Sequence, residues 1–226
     1  MTSDSFNPGT TSSKGLLAQL REDTREAHDR VEAAPALSCL LSPVLTVDAY
    51  VSALQFLRSF QAGALRRVEG SMSLLPPACR PDPSRLVALD ADLAWFKAPL
   101  RRELALSPRL EQPEQALGVI YVVEGSSLGG RVIGRAVSQS LGVTDGAGGA
   151  FFCGQTADAA RDRWRAFAYN LDKFGETMDP VARRSVIDGA VTAFAALAAF
   201  LNNDADVTQV SLHRYEHLEP AAAGQS

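Results

Sequence analysis

Apolar residues return every three or four positions along almost the whole chain, and no stretch alternates apolar and polar residues for long enough to make a strand. The pattern predicts an all-α fold. The first stripe is Leu17, Leu20, Thr24, Ala27 and Val31, which predicts a helix over 16–32 with His28 at the edge of the stripe. Thr46 can accept a backbone N–H, and Asp48 suits the positive end of a helix. A second long helix is therefore expected from Thr46 to about Leu75, before Pro76 and Pro77, turning Tyr50, Leu54, Leu57, Phe60 and Leu65 inward. Further helices are expected over 85–97, in a short piece between Pro99 and Leu106, and over 114–141 behind Pro113, with Gly142 as the stop. Two more should cover 156–174 and run from Asp179 and Pro180 to about Leu201.

With 226 residues, 46% hydrophobic and 21% charged, the chain can bury one ordinary core without staples. Residues 15–218 read as one domain, 1–14 as a disordered leader and 219–226 as a flexible tail. Lys and Arg total 22 against 26 Asp and Glu, a formal charge of −4, so there is no electropositive field to hold a nucleic-acid backbone. The leader lacks the apolar segment of a secretory signal, and the nearly uncharged stretch 116–123 is too short to cross a bilayer, so a cytoplasmic protein without a membrane partner is expected. Cys39, Cys79 and Cys153 show no Cys-x-x-Cys spacing, which argues against a disulfide framework, a zinc site or a redox pair.

Chemistry concentrates in the stretch GVIYVVEGSSLGGRVIG, residues 118–134, which holds Gly118, Gly125, Gly129, Gly130 and Gly134. Each glycine inside a helix costs about 1 kcal/mol relative to alanine. Gly125 and Gly129 lie one turn apart, as do Ser126 and Gly130, so one face is stripped to bare backbone. That face suits either close helix packing, which is the simpler reading, or a flat ligand. His28 has Glu32 one turn later, and a carboxylate so placed can hold one ring N–H and leave the other nitrogen to bind iron. A satisfied core histidine fits the same pattern. Arg161 and Arg165, one turn apart, read by themselves as a solvated face paired with Asp158 and Asp162, and Arg21 is equally ordinary. Glu124, inside an apolar run, should pair with a basic side chain such as Arg131, while Trp95 and Trp164 read as packing. His213 and His217 have metal-binding spacing but no third ligand, and read as surface helix.

LREDTREAHDRVE and YVVEGSSLGGRVI together resemble the heme oxygenase family, and within it the bacterial branch that supplies biliverdin to bacteriophytochromes. The order of helices and FFCGQTADAARDRWRAFAYNLDKFG extend the resemblance over about residues 15–203. It implies a single-domain helical bundle with heme sandwiched between a proximal and a glycine-rich distal helix. On that reading His28 ligates the heme iron with Glu32 behind it, Gly125, Ser126, Gly129 and Gly130 cross the other heme face, and Arg21, Arg161 and Arg165 hold the propionates. Animal enzymes carry an Asp after the first distal glycine, where this chain has Ser126; bacterial relatives with the EGS-type motif also lack it, and the Ser126 hydroxyl can both donate and accept in a water network. The implied reaction opens heme b, at once substrate and cofactor, to biliverdin, iron and carbon monoxide, using dioxygen and an external electron donor. The α isomer and a bacteriophytochrome acceptor follow from the same resemblance. A non-catalytic heme-binding or heme-transfer protein, or a helical interaction module whose glycines only pack helices, would carry many of the same residues.

Overall fold

The caps expected at Thr46 and Asp179 form, and Thr156 supplies a third. Thr46 Oγ1 accepts from the Ala49 N–H at 3.2 Å, Thr156 Oγ1 from Ala159 at 3.2 Å and Asp179 Oδ1 from Ala182 at 2.8 Å, each tying down an N–H that a helix start leaves unpaired. The computed structural model describes residues 14–106, 110–154 and 156–215, with no side chains described beyond residue 202. Its helices are α1 (Leu16–Glu32), α2 (Pro35–Ser38), α3 (Val47–Val68), α4 (Ser84–Trp95), α5 (Gln115–Gly125), α6 (Gly130–Leu141), α7 (Ala150–Cys153), α8 (Ala157–Glu176) and α9 (Pro180–Tyr215). Short 3-10 turns cover Cys39–Leu41, Glu69–Leu74 and Pro77–Cys79. No strand occurs among the described residues, as the periodicity requires.

Helix α5 lies at the centre, and its residues 116–124 are all buried. Its most extensive neighbour is α9, which also packs against α1. The approach of α5 to α9 is backbone to backbone: a Cβ on Gly118 would collide with the Val186 carbonyl, and one on Gly189 with the Gln115 carbonyl. A first apolar cluster therefore joins α1, α3, α5, α8 and α9 around Phe60, Ile120, Phe167 and Leu197. A second, around Tyr50, Leu93, Val137 and Phe152, joins α3 to α4, α6 and α7. Helix α3 contributes to both.

Several expectations are corrected. The helix from Thr46 ends at Val68, not near Leu75, and tightens into a 3-10 turn where Gly70, Ser71 and Ser73 weaken α-helical continuation. Helix α4 stops at Trp95, where Lys97 turns left-handed at φ 53°. The piece between Pro99 and Leu106 is not helical, because its polar groups pair with α3 instead of with one another. Leu104 N–H donates to the Ser59 carbonyl (2.9 Å), and Gln55 Nε2 donates to the Pro99 carbonyl (2.7 Å). Gln55 Oε1 in turn accepts from Arg101 Nε, and the Leu104 carbonyl occupies the space left by the missing side chain of Gly63. The predicted 114–141 helix breaks at 126–129 into α5 and α6. Gly142 (φ 70°) ends α6 as expected, whereas α9 continues past Leu201 to Tyr215.

The stretch 116–123 looked too short for a bilayer, yet Gln115–Leu141 and Pro180–Asn202 are both long and apolar enough to cross one by composition. Here α5 and the first half of α9 bury that surface against each other. Cys39, Cys79 and Cys153 are free thiols, each with its pKa raised by burial, Cys79 to about 11, which suits inert packing and not redox chemistry. The expected leader, apart from Lys14, and the expected tail lie outside the described residues, as does His217; the side chain of His213 is likewise outside the description.

Candidate functional site

The break between α5 and α6 is built by i→i+3 bonding. Ser127 N–H donates to the Glu124 carbonyl and Leu128 N–H to the Gly125 carbonyl (each 3.1 Å), and Gly130 N–H donates to the Ser127 carbonyl at 3.2 Å. The two serines reinforce the turn from their side chains. Ser126 Oγ donates to the Val123 carbonyl and Ser127 Oγ to the Glu124 carbonyl, both at 2.6 Å, bonding back onto the last turn of α5.

Within this stretch the glycines divide into two kinds. Gly118 abuts α9, and a Cβ on Gly134 would strike the Phe152 carbonyl, so both serve helix packing. Gly125 and Gly129 would meet nothing nearer than 3.8 Å, the Trp164 ring and Ile133 respectively, and a side chain on Gly130 would meet nothing within 4 Å. Gly129 sits at φ −73°, a conformation open to any residue. Neither packing nor backbone strain requires glycine there. The turn thus presents exposed backbone at Gly129, half-buried glycines at 125 and 130, and an exposed Ser126.

His28 stands on the outward edge of α1 with its side chain 51% exposed. Its Nε2 lies 3.6 Å from Glu32 Oε1, and its Nδ1 lies 3.7 Å from Asp29 Oδ1. The ring meets Phe194 of α9 edge-on, centroids 5.9 Å apart. The predicted His28–Glu32 pair is present, and His28 is not a buried core residue. Asp29 and Phe194 carry no sequence signal, since one is an ordinary helix acid and the other belongs to a distant helix. Helices α8 and α9 both touch α1 and α5, so the His28 helix and the helix leading into the glycine turn share one floor, in which Trp164 packs against Tyr121 and Phe167.

Helix α8 carries three alternate arginines with different surroundings. Arg161 pairs with Asp158 and Arg165 with Asp162, both on the solvated face that composition alone suggests. Arg163, between them, turns inward. Its Nε and terminal nitrogen donate to the two oxygens of Glu124, each at 2.8 Å, and the terminal nitrogen also donates to the Arg80 carbonyl at 3.1 Å. Glu124 is 1% exposed and accepts additionally from the Asp82 N–H (3.1 Å). Its hydrogen bond raises the pKa of Arg163 despite burial. The expected partner of Glu124 was Arg131; the ridge of α8 supplies Arg163 instead, a choice that depends on how two distant helices meet. Arg21 is exposed on α1 and makes no ion pair among the described residues. Trp164 is buried and Trp95 is 58% exposed at the rim.

No group of three metal-ligating side chains occurs among the described residues, so protein side chains alone build no metal centre there. The imidazole of His28, the one histidine side chain among the described residues, is accessible, and with bare backbone elsewhere it is suited to a ligand that brings its own metal.

The heme oxygenase family profile matches residues 14–203. A heme oxygenase of Xanthomonas campestris pv. campestris is 32% identical over 111 residues, which span 49% of this chain and 63% of that relative. The fold is similar to that of the Neisseria meningitidis heme oxygenase, solved with NO and CO bound, at a TM-score of 0.68 and 22% identity, covering 84% of this chain and 92% of that one. It is also similar to heme oxygenase-1 of the cyanobacterium Synechocystis in complex with heme, at a TM-score of 0.66 and 17% identity, covering 91% of this chain and all of that one.

Proposed function

We propose that this chain, which belongs to the heme oxygenase family, binds heme b between His28 and the glycine turn and opens it oxidatively to biliverdin, iron and carbon monoxide. The observation that carries this reading is the contrast within one stretch, where Gly118 and Gly134 are packed shut while Gly130 faces open space and Gly125 and Gly129 would each touch a single side chain, no nearer than 3.8 Å. A flat substrate needs such bare backbone, and helix packing does not use it.

Heme is substrate and also supplies the redox chemistry, with dioxygen and electrons from an external donor. The chain's own residues bind and orient it. The His28 imidazole would hold the heme iron, and a carboxylate, Glu32 or Asp29, lies within 4 Å of each ring nitrogen, available to orient the ring and increase its basicity as a ligand. Gly125, Gly129 and Gly130 would let backbone approach the opposite face. Ser126, exposed beside them, gives its hydroxyl proton to the Val123 carbonyl and so offers an oxygen that can accept from a distal water. Arg21, Arg161 and Arg165 hold the propionates and so fix rotation about the heme normal. We assign the α isomer, a cytoplasmic setting and a bacteriophytochrome as acceptor of the product on the resemblance of the motifs.

The test is a heme titration followed by aerobic turnover with a reductant and chromatographic identification of the product. Biliverdin is the expected product, and heme bound but never opened would leave a heme-binding or heme-transfer protein. His28→Ala should abolish the normal axial ligation, read in the Soret and ligand-field spectra. An unchanged spectrum would mean that the iron is held elsewhere.

A further inference from the structure

Behind the glycine turn, on the side of α4, α6 and α7, lies a cavity of about 180 Å³ bordered by Arg85, Arg131 and Arg161 together with Ser127, Gly130 and Phe151. Its lining contains no acid. The volume is well beyond what one water needs.

Arg85 is the unusual member. It is only 8% exposed, its guanidinium lies 4.5 Å above the Phe151 ring, and one terminal nitrogen reaches Ser126 Oγ at a long 3.4 Å. Its Nε is buried without any hydrogen-bond partner, which is costly for a cationic donor. The neighbouring acids are committed elsewhere. Glu124 is held by both donors of Arg163, Asp82 accepts from the Ser84 N–H, and Asp158 pairs with Arg161. Arg85 and Arg131 therefore have no acid within ion-pair distance among the described residues. Burial lowers the pKa of Arg85, and the more distant charges of Glu124 and Asp82 only partly oppose this. The start of α6, which has no side-chain cap, borders the same cavity and adds the positive end of a twelve-residue helix.

We propose that this cavity is a binding site for a small oxyanion, a carboxylate or a phosphate, held by the Arg85 guanidinium from within, Arg131 at the mouth and the start of α6. The cavity borders the seat assigned to heme through Gly130 and Arg161, and the anion is placed on its other side, on Arg85 and Arg131. The site does not rest on Arg161, which is satisfied by Asp158, or on the heme reading at all. Ser127, Leu128 and Gly130 of the turn form part of its wall, and Arg85 also touches Ser126.

The experiment is calorimetric titration of the full, heme-free chain with inorganic phosphate in one arm and succinate in the other, at an ionic strength held constant with sodium chloride. Saturable binding of one anion per chain is expected in at least one arm, and the arm that saturates names the source. Arg131→Gln, at an exposed position, should weaken that binding by about tenfold, the fold-change of one lost charge-assisted hydrogen bond. Arg85→Met should weaken it at least as much if the variant folds; if it does not, Arg131→Gln decides alone. Binding should survive when the chain is loaded with heme. Absence of saturable binding in both arms, undiminished binding in Arg131→Gln, or displacement of the anion by heme would each overturn the proposal, the last by making the cavity part of the heme seat. Failure of heme turnover leaves these titrations untouched.

Discussion

Gly118 and Gly130 belong to one glycine-rich stretch and are used in opposite ways. At Gly118 the α9 backbone fills the place of the side chain; at Gly130 nothing does. Spacing cannot separate the two, because a stripe of small residues looks the same whether a helix or a ligand lies opposite. What distinguishes them is the partner surface, which another part of the chain supplies. The comparison also bears on energetics: inside α5 the glycine penalty of about 1 kcal/mol at Gly118 is offset by close packing of α5 on α9, whereas Gly130 opens α6, outside a helix interior, and no packing within the chain uses its missing side chain.

The sharpest way to break this comparison is Gly118→Ala. The added methyl would meet the Val186 carbonyl and the Ala190 amide, which are backbone groups and cannot rotate aside. Urea denaturation of the heme-free chain should show a loss of about 3 kcal/mol, the upper end of ordinary overpacking costs. An unchanged midpoint would mean that α5 and α9 can separate freely, and the two kinds of glycine would collapse into one. Gly129→Leu should do the reverse. Its backbone conformation accepts any residue, and its surroundings are open, so stability of the heme-free chain should move by no more than about 0.5 kcal/mol. Heme turnover should nevertheless fall steeply, because a branched side chain would stand in the space assigned to the substrate. Loss of the heme-free fold with heme affinity spared would return Gly129 to helix packing.

Much of this architecture was legible because local signals agreed with the tertiary result. α1 runs over the predicted residues, and Thr46, Thr156 and Asp179 cap as their chemistry requires. The strap from Pro99 to Leu106 was not legible, since its hydrogen-bond partners are Gln55 and Ser59 on another element and no window of sequence contains both. The break at 126–129 was visible only as excess glycine. At the candidate site, His28 with Glu32 and the open glycines could be named in advance. Arg163 could not, because three arginines at alternate positions look alike until Glu124 selects the one that faces inward. Arg85 was missed for a related reason: an arginine at the start of an amphipathic helix reads as surface, and its burial comes from α7 folding over it through Phe151.

The arginines of α8 give the smallest effect on the fold and the finest test of the site. Arg161 and Arg165 each pair with an acid three residues earlier on a solvated face, with side chains 51% and 74% exposed, and such pairs contribute about 0.5 kcal/mol or less. Replacing both by alanine should therefore leave the thermal midpoint of the heme-free chain nearly where it is. Arg163 supplies the internal contrast, since removing one member of a buried pair strands the other charge and costs about 3–5 kcal/mol. If Arg161 and Arg165 exchange their acids for the propionates of heme, their loss removes the charge-assisted bonds that select one in-plane orientation, each worth about 1.5–3 kcal/mol where partly sheltered. On the proposed reading, orientation would decide which meso carbon faces the glycine turn. Arg161→Ala/Arg165→Ala should then yield a mixture of biliverdin isomers where the parent yields one, and Arg21→Ala, on α1, should shift the mixture in a related way if it too holds a propionate. Chromatography of the products reads this directly. A single unchanged isomer with unchanged heme affinity would assign both arginines to Asp158 and Asp162 alone, and rotation of the substrate would have to be fixed by the shape of the turn.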